Sequence, residues 1–397
     1  MNEWVRTKEF RSLEDIDLLI DAKMQEGLDV EYKSELHLNS DSEKKEFLYD
    51  AVSFINSDGG HIFFGIDESK GVPTNINPIH IDDTDTFKAK IDQILRTGIE
   101  PRYSAFEITF ISASENKFII ELALNKSYHG PHRASYQSHH RFYQRSSIGK
   151  VELGILELKQ KFLEMNLIRD QIKNKAKKRI EEIRNGSVPA HIEHTKPLFV
   201  LQMFPIDIFD FNANKLKQYK DGSLETKLYV LGTKQGVSFK RYNFDGLLAQ
   251  YPDEGGVGAY TQLYRSGQIE AVIRCDYQKS EDTTEKFINP RYEFAVVESL
   301  SDYFKILIDI GANYPIALNV SLINASSYFM YLNETQSFYQ FQGSKQIQGN
   351  ELATDFIEIT DEPENVDVLL KPLFDQIWNS AGFERSLNYD NSGRLPQ

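Results

Sequence analysis

One stretch of this chain leaves little freedom: an amphipathic helix that must stop and turn directly into a strand covered on both faces. Ser40 and Glu43 form a capping box, in which a hydroxyl and a carboxylate satisfy backbone donors at a helix start. Phe47, Leu48, Ala51, Val52, Phe54 and Ile55 then recur at helical spacing and make one apolar face. Gly59-Gly60 is expected to stop the helix, because glycine takes the left-handed cap conformation without steric cost. The run His61-Ile62-Phe63-Phe64-Gly65-Ile66 has no polar alternation and reads as a strand buried on both sides. Upstream, Leu28 to Lys33 alternates, which places Glu31 and Lys33 on one strand face and Val30 and Tyr32 on the other.

This strand-helix-strand unit carries three carboxylates. Glu26 and Glu31 lie five residues apart before the helix, and Asp67 follows the second strand. Three such groups brought together can hold a divalent cation beside a phosphate, while Lys33 can neutralise a phosphate oxygen or steer an attacking water. Glu-x-Lys on its own reads as a strand edge carrying solvated charges. The spacing to Asp67 behind the helix is what favours a site.

Leu122 to Val151 contains no Asp or Glu, although the chain holds 59 acids against 45 bases and has a formal net charge of −14. Arg133, Arg141, Arg145 and Lys150 lie in this stretch, interleaved with Tyr136, Phe142 and Tyr143. A basic run with aromatics can follow a phosphate backbone and stack bases, since local potential rather than net charge decides where a polyanion docks. Alternation along Arg141-Phe142-Tyr143-Gln144-Arg145 is expected to put Arg141, Tyr143 and Arg145 on one face. The other reading is a surface strand whose arginines pair with acids. His129, His132, His139 and His140 raise a zinc reading, but the single cysteine, Cys275, lies far away and no finger spacing exists. No Gly-x4-Gly-Lys-Ser/Thr loop and no Gly-x-Gly-x2-Gly after a strand is present, so no nucleotide cofactor is expected.

The order Glu26-x4-Glu31-Tyr32-Lys33, helix, Asn56-x2-Gly59-Gly60-x4-Gly65-Ile66-Asp67 resembles the AlbA-type nucleic-acid-binding domain of the Schlafen family. Gly130-Pro131-His132-Arg133 and the later Tyr143-x-Arg145-x-Ser147 resemble its closing segment, and the likeness runs from about Glu26 to Phe162. The resemblance implies a nuclease triad at Glu26, Glu31 and Asp67, holding Mg²⁺ or Mn²⁺. It also implies nucleic acid as partner, structured RNA such as tRNA ahead of DNA, and an antiviral or stress setting. The animal family core uses two related lobes, whereas this chain shows one, so a homodimer is expected to supply the second wall.

The remaining features set the frame. The chain has 397 residues, of which 40% are hydrophobic, enough for two cores. A lone cysteine, no apolar targeting core at Met1–Arg6 and no long apolar segment imply a cytoplasmic protein that does not span a membrane. The expected fold is α+β: residues 1–150 a Schlafen/AlbA-like mixed α/β lobe, 151–186 a helical connector and 187–397 a C-terminal α+β domain of unassigned role. The connector's second half is basic at Lys173, Lys175, Lys177, Lys178 and Arg179, either as a solvated face or as an extension of a nucleic-acid groove. In the C-terminal half, Leu198–Phe204, Lys227–Gly232 and Ile316–Ile323 read as strands, Tyr260–Asp276 as a hairpin turning at Ser266-Gly267, and Pro290–Ile310 as a helix. Three functions remain open: a metal-dependent endoribonuclease, a non-catalytic DNA- or RNA-binding regulator, and a protein-interaction scaffold.

Overall fold

The structure is a computed structural model that describes residues 5, 8–209, 223–233, 238–253, 256–277, 285–333, 336 and 345–396. The fold is α+β, with seven helices and mixed sheets among the described residues. The chain divides into two compact units, Met1–Leu167 and Ile168–Gln397. The division falls inside a single 30-residue helix, Ile155–Arg184.

The N-terminal unit runs α1 (Leu13–Asp21), β1 (Val30–Lys33), α2 (Asp41–Ile55), β2 (Gly59–Phe64), β3 (Ile66–Ser69), β4 (Val72–Ile76), β5 (Ile79–His80), α3 (Thr84–Gly98), β6 (Ile99–Glu100), β7 (Phe106–Ser114), β8 (Lys117–Asn125), β9 (Arg133–Tyr136), β10 (His139–Arg141), β11 (Tyr143–Ser146) and β12 (Gly149–Glu152), then α4 (Ile155–Arg184). The central sheet has the order β1-β2-β8-β5, with β7 also on β8. β1 and β2 are parallel, with Glu31 opposite Ile62, as the α2 crossover requires. The capping box at Ser40 and Glu43 forms as expected. Alternation splits β2 between two cores: Ile62 and Phe64 pack with Phe47, Ala51 and Phe54 of α2, whereas Phe63 joins Val30, Tyr32, Ile16 and Leu19 on the opposite face. The sheet is therefore sandwiched, and Glu31 and Lys33 face the α2 side.

Two details differ from the sequence expectation. The helix ends at Ile55 with Asn56 as its cap, and Gly59-Gly60 instead open β2. Gly60 is required there because a Cβ would lie 2.5 Å from the Asp29 carbonyl oxygen. The strand expected to run to Ile66 is interrupted at Gly65, whose positive φ redirects the chain into a separate β3–β4 ribbon.

The C-terminal unit contains the end of α4, then β13 (Leu198–Pro205), α5 (Ser223–Lys227), β14 (Phe239–Tyr242), β15 (Gly246–Asp253), β16 (Gly256–Tyr264), β17 (Ile269–Arg274), β18 (Asp276–Tyr277), β19 (Phe287–Ile288), α6 (Tyr292–Asp309), β20 (Ile316–Ile323), β21 (Phe329–Met330), β22 (Glu351–Ala353), β23 (Ile357–Ile359) and α7 (Val366–Asn379). Its main sheet is antiparallel in the order β14-β15-β16-β17-β13-β20-β22, with β23 also on β20. One face packs on α6 and α7 through Leu201, Met203, Val296, Leu300 and Phe374. The other is covered by Ile180 and Ile183 of α4. On that second face Gln262, Glu270, Gln202 and Asn319 stand in register across four adjacent strands, all buried. Glu293 of α6 is also buried and accepts hydrogen bonds from Trp378, Ser386 and Asn388, which ties down the segment after α7. The strand expected at Lys227–Gly232 is instead the end of α5 followed by a turn. Its apolar residues Leu228, Val230 and Leu231 are buried, but Leu228 donates to Leu224 and Thr233 to Val230 rather than to a sheet ladder.

Candidate nucleic-acid interface

Asn56, the cap of α2, organises this region. Its amide nitrogen donates to the carbonyls of His132 (2.7 Å) and Tyr143 (2.9 Å), and its amide oxygen accepts the His132 N–H. Ser57 accepts the Arg145 N–H at 2.8 Å. The Asn-x2-Gly-Gly segment thus fastens the basic stretch onto the strand-helix-strand unit. His132 donates from Nδ1 to the Pro101 carbonyl, and its Nε2 accepts from Ser127. Burial lowers its pKa to about 4, so it is a neutral structural group.

The basic residues do not form one exposed row. The chain breaks at Phe142, leaving Arg141 on β10 and Tyr143 and Arg145 on β11. Alternation still puts Tyr143 and Arg145 on one face, but that face is pressed onto α2. Tyr143 packs on Tyr49, and Arg145 lies over the Phe54 ring at 4.4 Å. Arg145 is 1% exposed, pairs with Glu31 at 2.7 Å and donates twice to the Gly27 carbonyl. The expectation that Arg145 binds phosphate is therefore corrected: all three of its guanidinium nitrogens are engaged inside the unit.

The other carboxylate oxygen of Glu31 accepts from Lys33 at 2.7 Å. Lys33 lies 3.6 Å from Asp50 of α2, which pairs with Lys150 at 2.7 Å, and Lys150 also contacts Glu46. Three cations and three anions alternate along this network. Burial opposes ionisation of Glu31, but Arg145 and Lys33 outweigh it and hold the carboxyl below its usual range. Asp50 shifts upward because desolvation exceeds the pull of its two lysines.

Glu26 and Asp67 share no ion pair with that network. Glu26 accepts the Tyr32 N–H at 2.8 Å beside β1, and partial burial raises its pKa, although it lies close enough for Glu31 to raise it further and Lys33 to lower it. Asp67 sits on the β3–β4 ribbon, where Asn77 donates to it at 3.3 Å. Among the described residues no group of three or more His, Cys, Asp or Glu side chains is placed to hold a metal ion. The trio expected to hold Mg²⁺ or Mn²⁺ does not fit one in this arrangement: Gly65 turns Asp67 off the sheet, and cations occupy both oxygens of Glu31.

What remains outward is the β9–β10 hairpin. Its Gln137, Ser138, His139, His140 and Arg141 are exposed, and Lys44 at the start of α2 lies over Tyr136. Arg141 pairs with Glu152, both about half exposed, and Arg133 pairs with exposed Glu100. Exposed pairs contribute little net stability and exchange readily for a phosphate. Sequence reasoning overlooked Asp50 and Glu46. Asp50 was recognisable as a carboxylate on the apolar face between Phe47 and Ala51. It also overlooked the buried His61–Glu121 pair, 2.8 Å apart on the other side of the sheet.

Residues 26–154 match the family model described as Schlafen, AlbA_2. Solved structures that align with part of the chain include two from bacteria. The DIP2311 protein from Corynebacterium diphtheriae matches at 12% identity and a TM-score of 0.25, over 36% of this chain and 26% of its own length. The N-terminal domain of an ATP-dependent DNA helicase RecG-related protein from Nitrosomonas europaea matches at 16% identity and a TM-score of 0.26, over 34% of this chain and 89% of its own. At such scores neither match bears on function. No curated protein matches the chain. No helix among the described residues is long and apolar enough to cross a membrane. From Glu26 to Gly154, then, this chain carries a Schlafen AlbA_2 domain.

Proposed function

We propose that the N-terminal unit binds nucleic acid, structured RNA ahead of DNA, through the β9–β10 hairpin and Lys44, and that the Glu31–Arg145 network holds this surface in shape. The supporting observation is the partition of the cations: Arg145 and Lys150 are committed inward, whereas Arg141, His139 and His140 are outward on a hairpin beside the Lys44–Tyr136 pair. RNA is put first because of the family resemblance. This reading favours the non-catalytic regulator over the endoribonuclease, since a metal held by Glu26, Glu31 and Asp67 requires Arg145 and Lys33 to release Glu31.

Two experiments test it. Labelled tRNA and duplex DNA are titrated between about 50 and about 200 mM salt, where a slope close to one counterion per phosphate contact is expected. Arg141→Ala with Lys44→Ala should weaken tRNA binding severalfold and flatten that slope, and unchanged binding would remove the hairpin from the interface. Incubation of tRNA with Mn²⁺ should leave it intact. Cleavage stopped by EDTA and by Glu31→Gln would overturn the non-catalytic reading and mean that RNA binding frees Glu31. A second copy is proposed to close the other side of the RNA, and a monomeric complex in size-exclusion chromatography would count against that.

A further inference from the structure

The C-terminal unit contains a cleft of about 640 Å³ between the basic half of α4 and the neighbouring ends of the sheet strands. Arg179 forms its inner wall, but this side chain is fully engaged: it holds Glu270 through Nε (2.7 Å) and Nη2 (3.1 Å), and Glu182 and the Ser187 carbonyl through Nη1. Lys175, one turn earlier, makes no hydrogen bond or ion pair with any described residue. Lys175 is exposed in the cleft; partial desolvation lowers its pKa, Glu182 opposes the change, and the neighbouring Lys178 and Arg179 add to it. Lys178 is 77% exposed and reaches Glu182 only at 3.9 Å. Opposite, Gln268 is 2% exposed, and its side-chain amide has no hydrogen-bond partner among the described residues. An amide on the cleft wall with no protein partner is open to a ligand that offers it a donor and an acceptor. Tyr264 adds an aromatic ring to the same wall, and Asp245 a carboxylate.

We propose that this cleft binds a free mononucleotide, with its phosphate between Lys175 and Lys178 and its base against Tyr264, the base edge read by Gln268 and Asp245. Each part of the lining has a counterpart in that ligand class. Two lysines match a phosphate, a primary amide supplies one donor pair and one acceptor, and a carboxylate accepts from an exocyclic amine or ring N–H. The volume lies within the range of small-ligand sites. Phosphate-cradling glycine loops are absent from the sequence, but a cleft built from side chains does not need them.

The test is calorimetric titration of the full-length protein with AMP, GMP, inorganic phosphate and a 5′-phosphorylated oligoribonucleotide. A mononucleotide is expected to bind at micromolar to low-millimolar concentration, more tightly than phosphate or the oligonucleotide. Lys175→Ala and Lys178→Glu should each weaken it by about tenfold. Gln268→Ala should change the preference between AMP and GMP. Lys178 is a surface side chain, so its variant keeps the test sound should the Gln268 variant fold poorly. No mononucleotide binding, affinity unchanged from the unsubstituted protein in both lysine variants, or tighter binding of the oligonucleotide would overturn the proposal. The same variants should leave tRNA affinity intact, which separates failure here from failure of the hairpin interface.

Discussion

Two arginine–glutamate pairs, one in each unit, join a glutamate on a strand to an arginine beyond that strand's ladder, yet they do different work. Arg145 and Glu31 are 1% and 12% exposed, and Lys33 takes the remaining carboxylate oxygen. Arg179 and Glu270 are 14% and 0% exposed, but that arginine borders open space next to an unpaired lysine and an unpaired amide. A charge network closed on itself is a strut. One that satisfies only its own members and leaves its neighbours unsatisfied forms a wall. Motif spacing reports neither outcome, because it records which residue types come together and not how many partners each finds.

The comparison breaks most readily at Arg145. Arg145→Ala leaves Glu31 buried with half its partners and should destabilise the N-terminal unit by about 3–5 kcal/mol in chemical denaturation. A loss under about 1 kcal/mol would mean that the network is not a strut and that Arg145 is available to ligands. Next in size is a contrast in pH dependence. The folded-state pKa of Glu293 is raised by burial from 4.5 to about 7, so its favourable contribution is complete below 4.5 and is lost as pH rises to about 7. That loss amounts to about 3 kcal/mol at most. Trp378 fluorescence in a Trp4→Phe background should report it, and Glu293→Gln should remove the slope. Glu31 has the opposite sign. Its depressed pKa contributes stability above the ordinary carboxylate range, and that stability is lost as pH falls through its lower folded value. Acid should therefore loosen the N-terminal unit, and neutral pH the C-terminal one. Parallel pH profiles for both units would erase the distinction. The smallest expected effect is Arg141→Ala, which should leave the melting temperature unchanged while reducing the salt slope of tRNA binding by about one.

Much of the fold was legible where local chemistry has a single solution. The Ser40–Glu43 box, the α2 face, the doubly covered β2 and the hairpin at Ser266-Gly267 all follow from spacing and turn chemistry. Lys227–Gly232 was misread because a short buried apolar run looks the same whether its backbone bonds go to a ladder or to a turn. The site was legible only in part. Alternation correctly put Glu31 with Lys33, and Tyr143 with Arg145, but it carries no information about which face another element covers. Gly65 mattered for the same reason: one left-handed residue, too local for a hydrophobic pattern to reveal, decided where Asp67 went.

The row of Gln262, Glu270, Gln202 and Asn319 also bears on how the large sheet assembles. If β13 slid by one residue, Gln202 would exchange places with Leu201 or Met203, lose the Ala176 carbonyl and break the polar row. Aliphatic strands alone would tolerate such a shift with little penalty. The polar rung acts as an alignment key, making misthreaded pairings costly before the sheet is complete.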